Sequence, residues 1–587
     1  MMREGFGNRL RGKLPQTVGP ADRLRGKLPQ VVVGLAGWLL MTGAVAQDTG
    51  AALPGYRSQA FSLPPDTERV LLVDADRDGL KDLLTVAKQR VSLYFQDAEQ
   101  GFDFAQPDTA IELPGRSAGW ELSDNYPDAQ GQPTFSLLAL IDGQRVTQWP
   151  VNARQFGTPS DRLSGLSGFA GGGVNRLNFS RDINDDGLDD LIIPGAGTLL
   201  LHIRNADGSY QQPLSVLSDM QIDTNLFVRQ ALERDVGQSL RIPLIELRDV
   251  NNDGHPDLLS ATDERFDVFL ASAQGDDYFP QTPTYSVDRL EIRERLGSFD
   301  IDQLDFSNLT GILALTHEET LEDVDGDGIA DFLLREGGKV SLFGGNADGM
   351  DFTQPRQVLR SGGNVITTFL QDENEDGLKD LWLWRVEEIS VGDLFLWLAI
   401  SGSINVEAFV YHNEGQSFAR RPARQLTVAL KFPSALGMLS SAMEFREQAE
   451  ALEDTRTIPT AIAKVSGVGS NRDLLVLLDE QVQVFLNSME PEATPPEQQF
   501  LASLDYRRTR NDYEIDIRRI IDEFEIEQNS ELRLVEGRSP DHTLPLSAAM
   551  RNGAVMATSL NGDALEDVFV FLERGREAIT GFLLLSE

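Results

Sequence analysis

The sequence lacks several residues on which common enzyme classes depend. Among its 587 residues there is no cysteine, and there are only five histidines, which are scattered along the chain. Without cysteine the chain can form no disulfide, thiolate-bound zinc site, iron–sulfur cluster or thiol nucleophile. No His-Glu-x-x-His motif, phosphate-binding glycine loop or nucleophile elbow is present either. The sequence therefore predicts a protein that is not an enzyme.

Basic side chains are also scarce. Lys and Arg total 52 against 92 Asp and Glu, which gives a formal net charge of −40. Such a surface repels nucleic acid and anionic lipid, so neither is expected as a partner. The composition, with 41% hydrophobic and 25% charged residues, is typical of a globular protein. The length exceeds that of one ordinary domain, which leaves several domains or one large repeat architecture.

Long hydrophobic runs are absent apart from one near the N-terminus. Residues 1–30 carry seven Lys or Arg, and an apolar run over 31–46 ends in Ala44-Val45-Ala46. A basic stretch, an apolar stretch and small residues before a cleavage point are typical of a secretion signal, and the run is short for a membrane-spanning helix. We expect residues 1–46 to be a signal peptide, with an uncleaved anchor as the alternative. The mature chain, 47–587, would have no transmembrane segment and be periplasmic or extracellular, including the cell surface.

A nine-residue pattern recurs five times in the rest of the chain. Each copy has Asp or Asn at positions 1, 3, 5 and 9 and Gly at position 6, and an apolar run follows it. The oxygen-bearing residues are Asp74, Asp76, Asp78 and Asp82; Asp182, Asn184, Asp186 and Asp190; Asp249, Asn251, Asp253 and Asp257; Asp323, Asp325, Asp327 and Asp331; and Asp372, Asn374, Asp376 and Asp380.

This spacing is suited to a hard cation. Oxygen side chains at alternate positions of a tight loop converge on one point, and glycine permits the positive φ that wraps the backbone around it. Calcium suits an all-oxygen set better than magnesium or zinc, so we expect about five Ca²⁺ sites formed by these twenty residues. Asp-Gly turns without an ion are the alternative. An EF-hand is excluded, because position 12 is Thr85, Ile193, Ser260, Leu334 or Leu383 rather than a carboxylate.

The loops also set a repeat. Each is preceded and followed by β-type segments, and degenerate copies occur near 126, at 465–473 and at 559–567. Loop starts near 74, 126, 182, 249, 323, 372, 465 and 559 are about 70 residues apart, which matches one four-stranded unit with insertions. The copies near 126 and 465 are not expected to bind metal, and the copy at 559 is left open.

These loops and strands resemble the FG-GAP/VCBS repeats of integrin α-subunits and of secreted bacterial proteins. The resemblance implies an all-β fold, a β-propeller with the calcium loops between the first and second strands of each blade. The count favours eight four-stranded blades, or seven if the segment near 126 is not a blade. A strand near 59–63 has no unit of its own, so we expect it to pair with the strand near 581–587 and complete a single domain over 47–587.

Three insertions interrupt the repeat. The segments 286–297, 436–455 and 511–527, within insertions near 286–305, 436–455 and 505–540, have patterns that predict short helices. They are interpreted as padding over the fold or as a partner-binding cap. Trp382, Trp384 and Trp397 are expected in the core between blades, with a carbohydrate-stacking platform as the alternative.

The sequence analysis therefore predicts an exported calcium-binding β-propeller. We expect it to act as a non-enzymatic binding or adhesion module for a protein partner or a cell-surface glycan, with its oligomeric state open. The alternative is a propeller-fold enzyme acting on polysaccharide, a lyase or a glycosidase. Basic side chains beside an ion at an open rim would favour the enzyme, whereas ions enclosed by loops would favour the module.

Overall fold

The computed structural model describes residues 53–587 with internal gaps, and all structural statements below concern that part of the chain. The gaps are 128–131, 169–172, 219–220, 226–236, 242–244, 273–276, 298–304, 433, 435–457, 479, 490–506, 517–529 and 573–576. The expected signal peptide at 1–46 and the expected insertion helix at 436–455 lie outside the described residues.

The first half of the described chain forms four antiparallel sheets after an initial strand, β1 (Tyr56–Leu63). Sheet 1 contains β2 (Thr67–Val73), β3 (Asp82–Ala87), β4 (Arg90–Tyr94) and β5 (Thr109–Glu112). Sheet 2 contains β6 (Ser117–Pro127), β7 (Pro133–Ile141), β8 (Arg145–Asn152), β9 (Gln155–Phe156), β10 (Ser160–Ser164) and β11 (Gly173–Arg176), the last parallel to β6. Sheet 3 contains β12 (Ser180–Arg181), β13 (Asp190–Pro194), β14 (Thr198–His202) and β15 (Leu214–Leu217). A separate hairpin, β16 (Gln221–Asn225) and β17 (Gly237–Arg241), precedes sheet 4, which contains β18 (Glu246–Arg248), β19 (Asp257–Ala261), β20 (Arg265–Phe269) and β21 (Tyr285–Asp288).

The second half continues the pattern after helix α1 (Arg289–Leu296) and a 3₁₀ turn (Leu309–Leu315). Sheet 5 contains β22 (His317–Glu322), β23 (Asp331–Glu336), β24 (Lys339–Phe343) and β27 (Gln357–Arg360), with a small hairpin of β25 (Gly345–Asn346) and β26 (Gly349–Met350) between the last two. Sheet 6 contains β28 (Asn364–Gln371), β29 (Asp380–Val386), β30 (Gly402–Tyr411) and β31 (Arg424–Phe432). Helix α2 (Val391–Ala399) lies between β29 and β30 in the chain. Sheet 7 contains β32 (Thr460–Ala463), β33 (Arg472–Leu478), β34 (Gln481–Met489) and β36 (His542–Pro545), and β35 (Asp512–Asp516) joins sheet 6. Sheet 8 contains β37 (Ala554–Thr558), β38 (Asp567–Leu572), β39 (Ile579–Ser586) and β1, and 3₁₀ turns cover Ser530–Val535 and Ala548–Asn552.

The second strand of most sheets is buried along nearly its whole length rather than at alternate residues. In β3 the residues from Asp82 to Val86 are all buried, and β13 and β38 show the same pattern. A strand is buried along its whole length when both faces of its sheet are covered. The covering layers here are the neighbouring sheets, so the prediction of an all-β fold is confirmed.

Buried side chains join the sheets largely in chain order. Separate clusters contain residues of sheets 1 and 2, of sheets 2, 3 and 4, of sheets 4 and 5, and of sheets 5 and 6. Two more join sheet 7 to sheet 8 and sheet 8 to sheet 1. In the last of these, Phe569 and Leu583 pack with Val70 and Leu83. The last sheet in the sequence therefore packs against the first.

The N-terminal strand completes the last sheet. β1 pairs antiparallel with β39 over its full length, from Tyr56 opposite Ser586 to Leu63 opposite Ile579. This is the pairing that the sequence analysis placed at 59–63 and 581–587. It covers the edge of β39, which would otherwise present unpaired N–H and C=O groups.

Of the predicted insertion helices, one is present and one is wrong at its start. Helix α1 begins after Asp288, whose side chain accepts the Glu291 N–H, and ends at Gly297 with φ 91°, so the helix expected in 286–297 is present. The helix expected over 511–527 is wrong at its start, because residues 512–516 form β35, parallel to β31. Residues 517–529 of that segment lie outside the described residues.

Helix α2 was not predicted. It occupies 391–399 within a segment that the sequence analysis assigned to the core around the tryptophans. No helix in the described part of the chain has the length and apolar character needed to cross a membrane.

Candidate metal loops

The five predicted loops adopt one conformation, each between the first and second strands of its sheet. The glycine at position 6 has φ between 82° and 90° in all five, as expected. Position 4 also has positive φ, at Arg77, Asp185, Asn252, Gly326 and Glu375. Two left-handed residues separated by one other curl each loop so that its side-chain oxygens face inward.

The carboxylates at positions 1, 3 and 5 hold this curl through main-chain hydrogen bonds. The position 6 N–H donates to the position 1 carboxylate, with 2.8 Å from Gly187 to Asp182 Oδ2. The position 7 N–H donates to the position 5 carboxylate, with 2.8 Å from the Leu188 nitrogen to Asp186 Oδ1. The other four intact loops repeat both bonds. The same oxygens that would bind a cation therefore already line one small space.

Two loops bring carboxylate oxygens close enough for a shared ion. Oxygens of Asp74, Asp76 and Asp78 lie within 4.8 Å of one another, and so do oxygens of Asp323, Asp325 and Asp331. In the first loop Asp74 Oδ1 is inaccessible to solvent and has no hydrogen-bond partner. A buried carboxylate oxygen without a donor is costly unless a cation satisfies it. These acidic clusters could therefore bind a metal ion, and the all-oxygen donor set fits calcium.

Position 9 has a different environment from the one expected. We expected this aspartate to close the coordination shell, and that role stays a prediction; in addition, both oxygens of each position 9 aspartate accept main-chain N–H groups. Asp190 accepts from Ile183 at 3.0 Å and from Arg204 at 2.7 Å, which ties the loop to the end of the third strand. Asp82, Asp257, Asp331 and Asp380 make the equivalent pairs of bonds.

The degenerate copies show that this role does not require an ion. The 465–473 copy retains only its final aspartate among the ligand positions, yet Asp473 accepts N–H bonds from Val465 and Asn487. Asp567 does the same with Leu560 and Ser586. The position 9 aspartate thus joins the loop to the end of the third strand through two buried hydrogen bonds, and we call this link the bracket. Near 126 the corresponding connection joins β6 to β7, and residues 128–131 lie outside the described residues.

Burial raises the pKa of five of the position 9 aspartates. The pKa rises to about 7 for Asp82 and Asp190 and to about 6 for Asp257, chiefly because burial penalises the charged form. Main-chain hydrogen bonds lower the pKa of each, and neighbouring loop carboxylates raise it further. The pKa values of Asp331 and Asp567 are also raised, chiefly by burial.

Arginine side chains contact the two loops that have Asp at position 3. Arg154, from the turn between β8 and β9, donates to Asp76 Oδ2 at 2.6 Å and to Asp78 Oδ2 at 2.9 Å. Arg356 donates to Asp325 Oδ2 at 2.9 Å and lies 3.2 Å from Asp331 Oδ1. The sequence analysis missed both, because neither arginine belongs to the repeated pattern.

The other three intact loops have Asn at position 3. There the Asn184, Asn251 and Asn374 amides donate to the position 5 carboxylate at 3.0, 3.2 and 2.7 Å. The loop carboxylates therefore accept a hydrogen bond from an Asn amide in three loops and from an Arg guanidinium in the other two. Because an arginine offsets one extra aspartate, all five loops carry the same formal charge from these groups.

The 372–380 loop has an additional polar cluster. Position 2 is a buried apolar residue in the other four intact loops but is Glu373 here. Glu373 forms an ion pair with Arg424 and lies 3.2 Å from His412 Nε2, and with His412 and Asp380 it makes up a group that could hold an ion. Arg424 also donates to the Arg510 carbonyl at 3.0 Å, which anchors the chain entering β35.

The tryptophans of sheet 6 lie in its core. Trp382 and Trp384 are buried and stack with Phe369 at centroid distances of 5.5 and 6.4 Å. Trp397 instead meets Phe432 edge-on at 4.8 Å at the base of α2. The first two match the core interpretation rather than an exposed platform for carbohydrate.

Comparisons with known proteins leave the family open. No protein-family model matches the chain, and no curated protein matches it. Among solved structures, it is similar to an Agrocybe aegerita lectin described as recognising non-reducing terminal N-acetylglucosamine, at 14% identity over 62% of this chain and 80% of that chain, with a TM-score of 0.25. It is also similar to BBS1N in complex with ARL6DN, at 8% identity over 75% of this chain and 98% of that chain, with a TM-score of 0.21. Because both TM-scores are low, fold and function are assigned from the chain's own geometry.

Proposed function

We propose that residues 47–587 form an exported, calcium-stabilised β-propeller of eight four-stranded blades that acts as a non-enzymatic binding module. The supporting observation is that buried clusters join sheets 1 to 6 in chain order, sheet 7 to sheet 8, and sheet 8 to sheet 1. Main-chain bonds also connect loops of neighbouring sheets, from Lys81 to Leu560 at 2.6 Å and from Ala330 to Val250 at 2.8 Å. The proposed propeller requires the same packing between sheets 6 and 7, which would close the succession and leave only short edges exposed.

Calcium is the proposed ion at the five intact loops. The carboxylate and amide oxygens at positions 1, 3 and 5 would hold it, while position 9 fixes the loop to its sheet. The ion would supply positive charge to a concentration of carboxylates that otherwise repel one another. The resemblance to FG-GAP/VCBS repeats supports the same assignment.

The melting temperature in calcium and in chelator tests this assignment. A ligand that binds only the folded state adds RT ln(1 + [L]/Kd) per site, which is about 1–2 kcal/mol at 5 to 50 times its Kd. Extracellular calcium sites often have Kd on the order of 10⁻⁴–10⁻³ M, so we expect about 5 mM calcium to raise the melting temperature markedly and magnesium to do so poorly.

The matched variants are Asp327→Ala, at position 5 of an intact loop, and Asp348→Ala, an exposed aspartate outside the loops. The first should remove one site's share of the calcium effect and one equivalent in calorimetric titration, and the second should remove neither. An unchanged melting temperature in chelator and calcium would refute the metal assignment and leave ordinary Asp-Gly turns.

The binding role is proposed in preference to a polysaccharide lyase or glycosidase. An enzyme would need basic groups directed at substrate beside an ion, but Arg154 and Arg356 donate to the loop carboxylates themselves. The partner would be a protein or a cell-surface glycan. Capture from an envelope fraction, with and without calcium, would identify it, and turnover of a polysaccharide by the purified chain would contradict the role.

A further inference from the structure

Helix α2 is an addition to the regular sheet. Residues 387–401 separate β29 from β30, whereas two residues join β3 to β4 and β23 to β24. The helix has a complete capping box, in which Ser390 and Asp393 each bond the other's main-chain N–H. A capped helix at this position is a built element rather than a loose connection.

The exposed side of α2 is apolar. Its inner side is fixed by Trp397 against Phe432, yet Leu394, Phe395, Leu396 and Ile400 are 44, 68, 55 and 56% exposed. A surface helix normally has a polar outer face, and a contiguous exposed apolar area marks an interaction site. The exposed face of α2 therefore requires an explanation beyond stability.

The apolar surface of α2 continues onto the segment that leads into the 3₁₀ turn at Leu309–Leu315. The Val391 N–H donates to the Phe306 carbonyl at 2.9 Å, and the Leu309 N–H donates to the Ile389 carbonyl at 2.7 Å. Phe306 in this segment and Ile312 in the turn are 64 and 43% exposed. We call this surface the α2 patch; it consists of Phe306, Ile312, Leu394, Phe395, Leu396 and Ile400.

The two segments that carry the α2 patch hold only acidic charges, and Lys431, next to Phe432, is paired with Glu514. Residues 305–316 and 386–405 contain no Lys or Arg. Asp305, Glu387 and Glu388 are exposed at its rim, and Asp393 is half-buried. An acidic rim around an apolar centre attracts a surface of the opposite charge. A second copy of this chain, at net charge −40, and an anionic membrane would both be repelled.

We propose that the α2 patch binds an amphipathic segment of another polypeptide, with an apolar face flanked by lysine or arginine side chains. Such segments insert apolar anchors spaced along one helical face into an apolar surface. The patch follows the end of β29, whereas the 372–380 loop precedes its start, so the two lie at opposite ends of the sheet. This assignment rests on the binding role proposed above but not on calcium.

The test uses a fluorescent 18-residue helical peptide of leucine and lysine, with a peptide of the same composition in a scrambled, non-amphipathic order. Binding to the purified chain is measured by anisotropy at physiological salt, where non-specific attraction is screened. The patch variant is Phe395→Ser with Leu396→Ser. The matched control is Val468→Ser with Leu534→Ser, which removes apolar residues of similar exposure, 55 and 64%, elsewhere. Circular dichroism checks that both variants fold.

We expect the amphipathic peptide to bind, the patch variant to weaken binding at least tenfold, and the control to change it less than twofold. Equal binding of the scrambled peptide, or equal loss in both variants, would overturn the proposal. A dimer that the patch variant dissociates would assign the surface to a second copy. Zwitterionic vesicle binding lost in that variant would assign it to lipid. If the peptide does not bind but calcium still raises the melting temperature, the proposed binding site on α2 is refuted and the calcium assignment is not.

Discussion

At the scale of single residues, the aspartate at position 9 is separable from the ion. Asp473 has the same two main-chain bonds as its counterparts in the intact loops although its own loop lacks the other ligands. The bracket at position 9 therefore persists without the ligands at positions 1, 3 and 5, although Asp331 also lies beside Asp323 and Asp325. Substitutions can distinguish the two roles, because only one of them depends on calcium.

We expect Asp473→Ala to destabilise the protein equally in calcium and in chelator. It leaves the Val465 and Asn487 N–H groups without their acceptor, and each unsatisfied buried donor costs about 1–3 kcal/mol. Asp186→Ala, at position 5 of an intact loop, should instead lower stability mainly in calcium. Urea unfolding of both variants under both conditions measures this, and a loss in Asp473→Ala confined to calcium would contradict the bracket role.

The arginine at the first loop makes a second residue-scale prediction. Arg154→Gln removes a cation from between Asp76 and Asp78, so stability in chelator should fall by about 1 kcal/mol, as for a partly exposed ion pair. Calcium should recover most of that loss, because it offsets the same charges. Arg90→Gln on β4, which removes an exposed pair with Glu112, is the control and should show no calcium dependence. A loss of the same size in chelator and calcium would contradict the charge-balancing role.

The sequence could show the loop oxygens but not these arginines. Ligand spacing is local and repeats within nine residues, whereas Arg154 is 78 positions from Asp76. The positive φ at position 4 is equally hidden, because Arg77 and Glu375 are not residues that favour it. Contacts made by the folding of distant segments leave no periodic signal in a single sequence.

At the scale of elements, local patterns predicted strands better than insertions. The helix expected over 511–527 rested on its isoleucines, but Tyr513 is buried and Ile515 half-buried while Asp512 and Glu514 are exposed. That alternation is typical of a strand. The open edge of β31 supplies the hydrogen-bond partners that decide the outcome for β35.

Pairing between β1 and β39 should be required for a cooperative fold. Gln59→Pro removes one N–H from the middle of β1 and prevents regular pairing there. We expect a melting temperature lowered by several degrees and increased aggregation through the exposed edge of β39. Light scattering and thermal unfolding measure both effects. Gln59→Ala, which loses the same side-chain bonds to Phe102 but keeps the main-chain N–H, is the control, and equal effects would contradict the importance of the pairing.

At the scale of the whole molecule, acidity should stabilise the calcium-free state. Asp82, Asp190 and Asp257 have folded pKa values of about 7, 7 and 6 against 3.8 for an ordinary aspartate. The folded state therefore binds protons more readily, and this contribution is lost as pH rises through 6–7. His202, whose pKa burial lowers to about 4, and His317, whose pKa burial also lowers, act in the opposite direction, but the raised pKa values of Asp331 and Asp567 add to those of the three aspartates.

We accordingly expect the urea midpoint in calcium-free buffer to be higher at pH 5.5 than at pH 7.5. Asp190→Asn should reduce this difference, because it removes one of the titrating groups. The calcium-dependent gain should be smaller at pH 5.5, because protons and the cation compete for carboxylates. A midpoint that rises from pH 5.5 to 7.5 without calcium would contradict the prediction.

The pairing of Tyr56 with Ser586 also constrains when the molecule can fold. The two strands are joined by more than 500 intervening residues, so β1 has no partner until the final strand has been synthesised. Contacts of such long sequence separation form slowly, because the intervening chain must first be ordered. Under the proposed export, this delay would keep the chain unfolded enough to pass through a secretion channel. Completion of the last sheet would then coincide with arrival of the whole chain on the far side.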